Sequence, residues 1–391
     1  MVREMKSRKF NNVKNSDSVV PARIREARIS RGYTLAELSD LIGVSSQAIS
    51  QYELGASIPS MTVLVKMMEV LDFPLNFFTK PKRKIDYSSS AVNFRSMKST
   101  AKKLKDAFAY RIDWADEIYQ YLKRYIDFPK VDLPNLDSIL NNTDLDYDTI
   151  EEVALSIRKF WGIEKIPIRN MVELLQEKGF VICNVEFKNH KMDAFSQWYN
   201  NVPYIVMGSD KRSASRSRFD LAHELGHLIL HPHIDQETMQ KKEVLDKLED
   251  EAHYFAGAFL LPSNSFPSEV ISNSLEHLTL LKKRWKVSIQ AMIMRCEKLG
   301  LFKENQVRYL FAQINKKGYR KQEPLDDVIP IEKPYLIKQA FELLLDNNVV
   351  SAEEILDEFA LNKDEIDNLC FLPSDLLSTH FKRPKLALIT D

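Results

Sequence analysis

The sequence predicts a mainly α-helical protein of the α+β class that contains more than one domain. At 391 residues the chain exceeds the usual size of a single compact domain. Apolar residues recur at helical spacing along most of the chain, and only two short runs, residues 180–185 and 202–207, are typical of β-strands. We therefore expect a helical N-terminal domain, a central domain with a small β-sheet, and a helical C-terminal region.

The net charge of zero conceals an uneven distribution of charge along the chain. Residues 1–110 contain 19 Lys and Arg against 10 Asp and Glu, whereas the remainder contains 36 against 45. A basic first third joined to an acidic remainder is typical of a nucleic-acid-binding module fused to another domain. The alternative is a solvated basic surface that has no partner.

Two features of the sequence indicate where in the cell the protein is located: its three cysteines are isolated, and it has no long apolar run. Cys183, Cys296 and Cys370 form no CxxC pair, which argues against a disulfide framework and a thiolate metal site. No apolar run approaches the roughly 20 residues that span a bilayer. Residues 1–17 have no apolar segment of the kind found in secretory signals, and we interpret them as a flexible leader. We expect a cytoplasmic protein without a membrane partner.

Residues 18–80 predict five short helices. Thr34 and Glu37 have the spacing of a capping box at the start of the second helix. Serines are placed to cap the third and fourth helices, and a glycine ends each of the first three. The pattern indicates a compact helical domain.

This domain resembles the Cro/C1-type repressor fold, or XRE family, in the spacing of Thr34-Leu35-Ala36-Glu37-Leu38, Gly43-Val44-Ser45, Ile49-Ser50 and Tyr52-Glu53-Leu54-Gly55. The resemblance implies a five-helix helix-turn-helix domain whose third helix enters the major groove of double-stranded operator DNA, and a homodimer that reads two half-sites. The side chains suited to base edges are Ser45, Ser46, Gln47, Ser50 and Gln51. The arginines expected to add positive potential or phosphate contacts are Arg23, Arg25, Arg28 and Arg31. The alternative is a domain that serves only protein interaction or dimerisation.

Residues 81–147 are interpreted as a helical connector. The run from 80 to 90 combines lysines, a proline and three serines, and predicts a hinge. Apolar positions between 98 and 125 predict a helix, and the residues from 129 to 148 predict a loop. We expect the basic residues between 95 and 105 to form a solvated helix face, with contact to the DNA backbone as the alternative.

The segment that bears on function most directly contains His223-Glu224-Leu225-Gly226-His227. A four-residue separation on a helix places both imidazoles on one face, where they can bind one zinc ion. Glu224 lies beside them and can take a proton from a water at the metal. His231 continues the spacing, but three successive turns do not easily converge on one ion, so we expect it to be structural.

A second helix, over residues 248–261, offers a third metal ligand. Glu251 lies at the start of an apolar helix face, and we predict that it points inward and completes the site. Glu249 and Asp250 are the alternatives. Asp220 is a hypothetical partner that orients a ligand histidine. The histidines expected to be ordinary surface or packing residues are His190, His233, His253 and His277.

The two helices together resemble the ImmA/IrrE metallopeptidase family in Arg218-Phe219-x-Leu221-Ala222-His223-Glu224-Leu225-Gly226-His227 and Glu251-Ala252-x-x-Phe255-Ala256-x-x-x-Leu260-Leu261-Pro262. The resemblance implies a zincin-like metallopeptidase domain over residues 148–315. Its gluzincin-like site would have His223, His227 and Glu251 on Zn²⁺, a water as fourth ligand, and Glu224 as the catalytic base. The resemblance further implies an endopeptidase that cleaves a helix-turn-helix repressor or an antitoxin.

Residues 316–391 predict a helical C-terminal region, with short helices at 335–347, 351–359 and 362–369. This region is expected either to cap the peptidase domain or to dock a partner.

The sequence as a whole favours a DNA-binding transcriptional regulator with a zinc-dependent endopeptidase domain. One alternative is a regulator whose metal domain senses a metal or a ligand without proteolysis. Another is an antitoxin-like component of a toxin–antitoxin or mobile-element module. The presence of Glu224 favours the peptidase, because a sensor does not need a general base.

Overall fold

The computed structural model describes residues 19–81, 102–140, 145–185, 194–208, 213–232 and 241–378. These residues are mostly helical, and they divide into two compact units. The first unit contains residues 19–81, 102–127 and 335–378, and the second contains the described residues from 128 to 334. The predicted mainly helical α+β class, with an N-terminal helix bundle, a small central sheet and a helical C-terminus, is confirmed.

Several sequence predictions concern residues outside these ranges. They are the leader at 1–17, most of the hinge at 80–90, and the histidines His190 and His233. Among the helices that are described, none is long and apolar enough to cross a membrane.

Five short helices form the N-terminal part of the first unit: α1 (Pro21–Ser30), α2 (Leu35–Ile42), α3 (Ser46–Leu54), α4 (Met61–Leu71) and α5 (Leu75–Thr79). The capping box predicted at α2 is present, because Glu37 N donates to Thr34 Oγ1 and Thr34 N donates to the Glu37 carboxylate. Gly43 ends α2 with a φ of 74°, a left-handed conformation that glycine adopts without strain. Local side-chain chemistry therefore sets the boundaries of these helices.

The described residues of the first unit include four more helices: α6 (Lys102–Leu122), α16 (Leu336–Asp346), α17 (Ala352–Phe359) and α18 (Lys363–Cys370). Helix α6 packs against α1 and against all three C-terminal helices. Its Trp114 is buried and donates from Nε1 to Glu26 Oε1 of α1 at 2.8 Å. The residues that the sequence assigned to a connector and to a C-terminal region thus pack with the N-terminal helices.

An ion cluster joins the parts of the first unit that are distant in sequence. Glu365 of α18 accepts a hydrogen bond from Arg31 at the end of α1, and its Oε1 lies 3.5 Å from Arg111 Nε of α6. Burial raises the pKa of Glu365, but the two guanidinium groups outweigh burial and hold that pKa below its usual range. Asp357 of α17 accepts a hydrogen bond from Asn76 of α5 and forms an ion pair with Lys80, which follows α5.

The second unit contains three strands within the described residues: β1 (Val181–Val185), β2 (Ala194–Tyr199) and β3 (Val202–Gly208). Strand β3 lies in the centre, parallel to β1 and antiparallel to β2. Asn200 and Asn201 connect β2 to β3 with φ values of 49° and 59°, as in a two-residue type I′ hairpin turn. Strand β2 was not among the predicted strands, because its residues are buried on both faces and do not alternate.

The helices described in the second unit are α7 (Asp137–Leu140), α8 (Tyr147–Phe160), α9 (Met171–Glu177), α10 (Ala214–Leu230), α11 (Lys242–Leu260), α12 (Phe266–Glu269), α13 (Leu275–Trp285), α14 (Ile289–Lys298) and α15 (Glu304–Lys316). Helix α10 lies on β2 and β3, and α11 packs on α10, α8 and α14. The two long helices approach closely at Gly226, where a Cβ atom would lie 3.0 Å from Phe255 Cδ1 and 3.3 Å from Ala252 Cα. This close approach brings α11 against the segment from His223 to His227.

The chain between α15 and α16 anchors the N-terminal half of α10. Ser213 Oγ, just before the helix, donates to Asp326 Oδ1 at 2.9 Å, and the buried Lys282 ammonium binds the same atom at 2.7 Å. The buried guanidinium of Arg218 donates to Glu332 and to the Ile168 carbonyl. Buried charges require such partners, so these pairs fix α10 ahead of its histidines.

Candidate metal centre and nucleic-acid interface

His223 and His227 lie on successive turns of α10 and face the interior of the second unit. Both residues are buried, and their Nε2 atoms are 3.0 Å apart. The anchored helix and its contact with α11 hold the rings in place. The predicted pairing of the two imidazoles on one helix face is therefore present in the structure.

Glu249 of α11 completes the group. Its Oε2 lies 3.2 Å from His223 Nε2, and its Oε1 lies 3.6 Å from His227 Nε2. In the described part of the chain, these three residues form the one His, Cys and carboxylate group whose ligand atoms lie close enough to hold a metal ion. Ligand atoms on a tetrahedral zinc ion with bonds of roughly 2.1 Å are about 3.4 Å apart. The observed separations, and the chemistry of two imidazoles with one carboxylate, fit zinc.

Glu251, which the sequence analysis favoured as the third ligand, points elsewhere. Its Oε2 lies 2.6 Å from Nε2 of His231, and it is not a member of the group around His223. The structure therefore favours Glu249, one of the two alternatives, over Glu251. The reason is geometric. The carboxylates of Glu249 and Glu251 both reach α10, but Glu249 lies beside the histidine pair and Glu251 lies beside His231, further along the chain. The packing of α11 on α10 therefore decides which carboxylate faces the pair.

Glu224 is buried beside the two histidines and is held by strand β2. Ser196 Oγ lies 2.7 Å from Glu224 Oε2 and 3.1 Å from the Glu224 carbonyl oxygen. Burial raises the pKa of Glu224 to about 7, against the opposing effects of His223 and the Ser196 hydrogen bond. Sequence reasoning missed Ser196 because it missed β2. The signal available in the sequence was Asn200-Asn201 before an apolar run, which is typical of a hairpin.

His223, His227 and Glu249 lie so close together that each shifts the pKa values of the others. Burial and the neighbouring His223 ring lower the pKa of His227 to about 3, because two imidazoles at this separation cannot both carry an extra proton. Burial opposes protonation of His223 as well, but the hydrogen bond to Glu249 and the nearby carboxylate charges of Glu224, Glu249 and Asp220 together outweigh burial and raise the pKa of His223. The Glu249 carboxyl is itself partly buried, yet the two histidines hold its pKa well below the usual range. The carboxylate is thus ionised and facing the imidazoles.

His253 of α11 borders the same centre. Its ring centroid lies 4.8 Å from that of His223 and 5.2 Å from that of Phe219, and its side chain is exposed. It lines a cavity of about 1310 Å³ together with Asp220, Tyr254 and residues of α14 and α15. His253 is exposed and packs against Phe219, in line with the expectation of a surface or packing histidine, and it also borders the candidate metal centre.

Asp220, one turn before His223, does not hydrogen-bond to Nδ1 of that histidine. The Nδ1 atom of His223 is buried and has no hydrogen-bond partner among the described residues. An orienting hydrogen bond from Asp220 to this nitrogen is therefore absent among the described residues, and the broader hypothesis that Asp220 orients a ligand histidine stays a prediction.

The first unit presents the polar face expected of a recognition helix. Ser46, Gln47 and Gln51 of α3 are exposed, and Ser50 is half-buried, while Ile49 anchors the opposite side in the core. Ser45 precedes the helix, and its Oγ accepts a hydrogen bond from Ala48 N at 3.1 Å. This serine caps α3 and also lies on the exposed side.

The arginines in and just after α1 are mostly paired with carboxylates of the first unit. Arg23 is buried against Glu26, Arg28 binds Glu53 with two hydrogen bonds, and Arg31 joins the cluster around Glu365. Arg25 is the exposed member of the set. Three of the four arginines therefore stabilise the first unit, and Arg25 remains as a candidate for a phosphate contact.

Comparison with known families identifies both regions. Residues 24–78 match the helix-turn-helix family model, and residues 175–297 match the IrrE N-terminal-like domain, the family model of the M78 peptidases. The chain thus carries a helix-turn-helix domain and a domain of a metallopeptidase family, as its sequence motifs indicated.

Individual relatives match shorter stretches. An uncharacterized immunity region protein of Bacillus phage phi105 is 37% identical over 104 residues, which cover 26% of this chain and 63% of the phage protein. An SPbeta prophage-derived uncharacterized HTH-type transcriptional regulator of Bacillus subtilis is 29% identical over 58 residues, which cover 15% of this chain and 54% of that protein. A protein of Pyrococcus furiosus is 33% identical over 75 residues, 18% of this chain and 24% of its own length. The chain therefore spans less than two thirds of each of these relatives.

Proposed function

We propose that this chain, which joins a helix-turn-helix domain to an IrrE N-terminal-like domain, is a DNA-binding transcriptional regulator that cuts a protein partner as a zinc-dependent endopeptidase. The observation that carries the proposal is the convergence of His223, His227 and Glu249 beside the buried carboxylate of Glu224. The proposed substrate is a helix-turn-helix repressor or an antitoxin. Its support is the family resemblance, together with relatives named as a phage immunity region protein and a prophage-derived regulator.

The metal would be held by the Nε2 atoms of His223 and His227 and by a carboxylate oxygen of Glu249. Zinc bound there would act as a Lewis acid that makes water a competent nucleophile near neutral pH. Two neutral imidazoles and one carboxylate are a ligand set typical of catalytic zinc in peptidases. Glu249 takes the place that the sequence analysis had assigned to Glu251.

Glu224 would act as the general base. Its carboxylate accepts a proton from the attacking water and then donates that proton to the amine that leaves from the cut peptide bond. Ser196 Oγ, at 2.7 Å from Glu224 Oε2, would hold the carboxylate in one orientation during both transfers. The hydroxyl thereby contributes to orientation and does not itself react.

The cavity beside His253 would receive the polypeptide. Its volume of about 1310 Å³ exceeds the roughly 300–1,000 Å³ of most small-molecule sites, so it has room for several substrate side chains. The lining mixes aromatic rings such as Phe219 and Tyr254 with charged groups such as Asp220 and Arg295. A segment with both apolar and charged side chains would complement that surface.

The DNA-binding role is proposed for α3. Ser46, Gln47 and Gln51 offer donors and acceptors to base edges, and glutamine can bind adenine through two hydrogen bonds. Ser45 and Ser50 flank this surface and would contact bases or nearby phosphates. A homodimer on a two-fold symmetric operator remains part of the proposal, because each helix-turn-helix domain reads one half-site.

Zinc content and proteolysis of a helix-turn-helix repressor encoded beside this gene, measured together for the native chain and Glu224→Gln, test the proposal. We expect one zinc per chain in both proteins, and cleavage about 10²–10⁴-fold slower in the variant because the general base is removed. Glu304→Gln, at an exposed residue of α15, is the matched control and should cut like the native chain.

The other outcomes are equally informative. Bound zinc and operator binding without any cleavage would contradict the peptidase and favour the non-proteolytic sensing regulator. A native chain that binds no zinc would contradict both functions. Loss of zinc from Glu224→Gln would mean that Glu224 is itself a ligand.

A further inference from the structure

The two histidines of the proposed metal centre differ in the hydrogen-bond partners of their Nδ1 atoms, which face away from the metal position. His227 Nδ1 lies 3.4 Å from Nδ1 of His231, and His231 Nε2 lies 2.6 Å from Glu251 Oε2. Nδ1 of His223 has no such hydrogen-bond partner in the described ranges. A continuous polar chain therefore leads from one ligand histidine, through a second imidazole, to a carboxylate.

We propose that His231 and Glu251 are positioning residues, which form a buried hydrogen-bond relay that orients His227 and sets its tautomer for zinc binding. The proposal rests on the metal centre of the proposed function. It assigns a role to two residues that do not belong to the ligand group, one of which the sequence analysis had taken for a ligand.

The proton positions along the relay follow from one requirement. His227 can bind zinc through Nε2 only if its proton is on Nδ1, since a neutral imidazole carries one N–H. Nδ1 of His227 then donates to Nδ1 of His231, which leaves the His231 proton on Nε2. That N–H faces the Glu251 carboxylate at 2.6 Å, a short distance typical of a hydrogen bond to a charged acceptor. This arrangement of protons gives each of the two hydrogen bonds along the relay one donor and one acceptor.

The backbone explains why His231 takes this position. Its N–H still donates to the His227 carbonyl at 3.1 Å, but φ and ψ of −136° and 45° end α10 at this residue. A histidine that continued the helix would lie one turn beyond His227 on the metal-binding face. Because the helix ends, the ring turns towards α11 and meets Glu251. The position is thereby suited to supporting a ligand.

Burial indicates that the interaction between His231 and Glu251 is built into the fold. Their side chains are 2% and 5% exposed. A carboxylate removed from water to this extent needs donors, and the ammonium of Lys247 is 3.8 Å from its other oxygen on a side chain that is 56% exposed. The imidazole of His231 is therefore a close, buried partner of Glu251. Outer partners of this kind commonly tune metal affinity by orienting the ligand.

The test measures the zinc dissociation constant of the full chain by competition with a chelator, together with the thermal unfolding midpoint of the zinc-free chain. His231→Phe keeps a ring of similar size but removes both nitrogens, and we expect zinc to bind roughly 10–100-fold more weakly. Glu251→Gln keeps an oxygen that accepts from His231, so it should retain most of the native affinity, whereas Glu251→Leu should not. If Glu251 had a purely structural role, the zinc affinity would not depend on whether the substituted side chain can still accept a hydrogen bond from His231.

Lys247→Gln is the matched control, because it alters the exposed neighbour of Glu251 and leaves the relay intact. It should bind zinc like the native chain. If His231→Phe unfolds, the zinc dissociation constants of Glu251→Leu and Glu251→Gln can be compared instead, which tests the relay from its other end.

The inference is overturned if His231→Phe and Glu251→Leu fold and bind zinc within twofold of the native chain. It is also overturned if Glu251→Gln loses zinc completely, because Glu251 would then be a ligand. Failure of the proposed function is a separate result: in that case the native chain itself binds no zinc.

Discussion

The candidate metal centre and the candidate recognition helix use polar side chains in opposite ways. Between α10 and α11, two histidines and a carboxylate converge on one point in the interior. On α3, Ser46, Gln47 and Gln51 are exposed and project into solvent. Buried polar groups must be compensated within the protein or by an ion, so their arrangement indicates the ligand directly. Exposed polar groups carry no such constraint, and only a partner outside the chain gives them a role.

The largest effect is expected from a variant that lacks the Glu249 carboxylate of the candidate metal centre. Glu249→Ala should weaken zinc binding by more than the roughly 10–100-fold that is typical of outer partners, because Glu249 is proposed to bind the ion directly. Chelator competition measures the effect, and operator binding measured in parallel should not change. Asp250→Ala, the neighbouring alternative, is the control and should retain zinc. A zinc affinity that survives Glu249→Ala but not Glu251→Ala would favour Glu251 as the third ligand.

A smaller effect is expected on the exposed side of the comparison. Gln47→Ala and Gln51→Ala should each reduce discrimination of the operator from random DNA by about 1–3 kcal/mol, the usual contribution of a good base contact. The measurement is a binding titration on both DNAs at one salt concentration, with zinc content determined in the same samples. Equal weakening on operator and random DNA would show that these side chains contact phosphates rather than bases.

Arg25→Ala provides the contrast to those variants. If the guanidinium of Arg25 binds a phosphate, its removal should weaken binding to operator and random DNA alike and reduce the salt dependence of binding. Titrations of both DNAs at several salt concentrations measure the two effects. Unchanged binding would remove α1 from the DNA interface.

The smallest expected effect concerns the fold of the first unit. Because Arg111 and Arg31 hold the pKa of Glu365 below its ordinary value of 4.5, the folded state favours the ionised carboxylate. This contribution to stability is present above pH 4.5 and is lost as pH falls through the lower, folded-state pKa, at about 1.4 kcal/mol for each unit of separation. The difference in thermal unfolding between the native chain and Glu365→Gln should therefore be largest at pH 7 and shrink as the pH falls below 4.5. A difference that is independent of pH would contradict the sign of the shift.

Local features of the fold could be predicted because neighbouring residues determine them. Thr34 and Glu37 cap α2 through contacts three residues apart, and His223 and His227 share a face because they are four residues apart on a helix. Strand β2 was not recognised, since its burial on both faces removes the alternation that marks a strand. Ser196, the neighbour of Glu224, was missed with it.

The sequence by itself determined the helix-turn-helix pattern, the histidine pair, and the presence of a nearby carboxylate on a second helix. Only the tertiary structure decided that Glu249 faces the pair and that Glu251 meets His231. Glu249 and Glu251 are separated by about 200° around a helix axis, so a sequence allows either to face α10 until the packing at Gly226 sets the rotation of α11. The tertiary structure also decided that α16, α17 and α18 pack on α6. Contacts between residues more than 200 positions apart depend on which apolar faces meet, and they leave no periodic signal in the sequence.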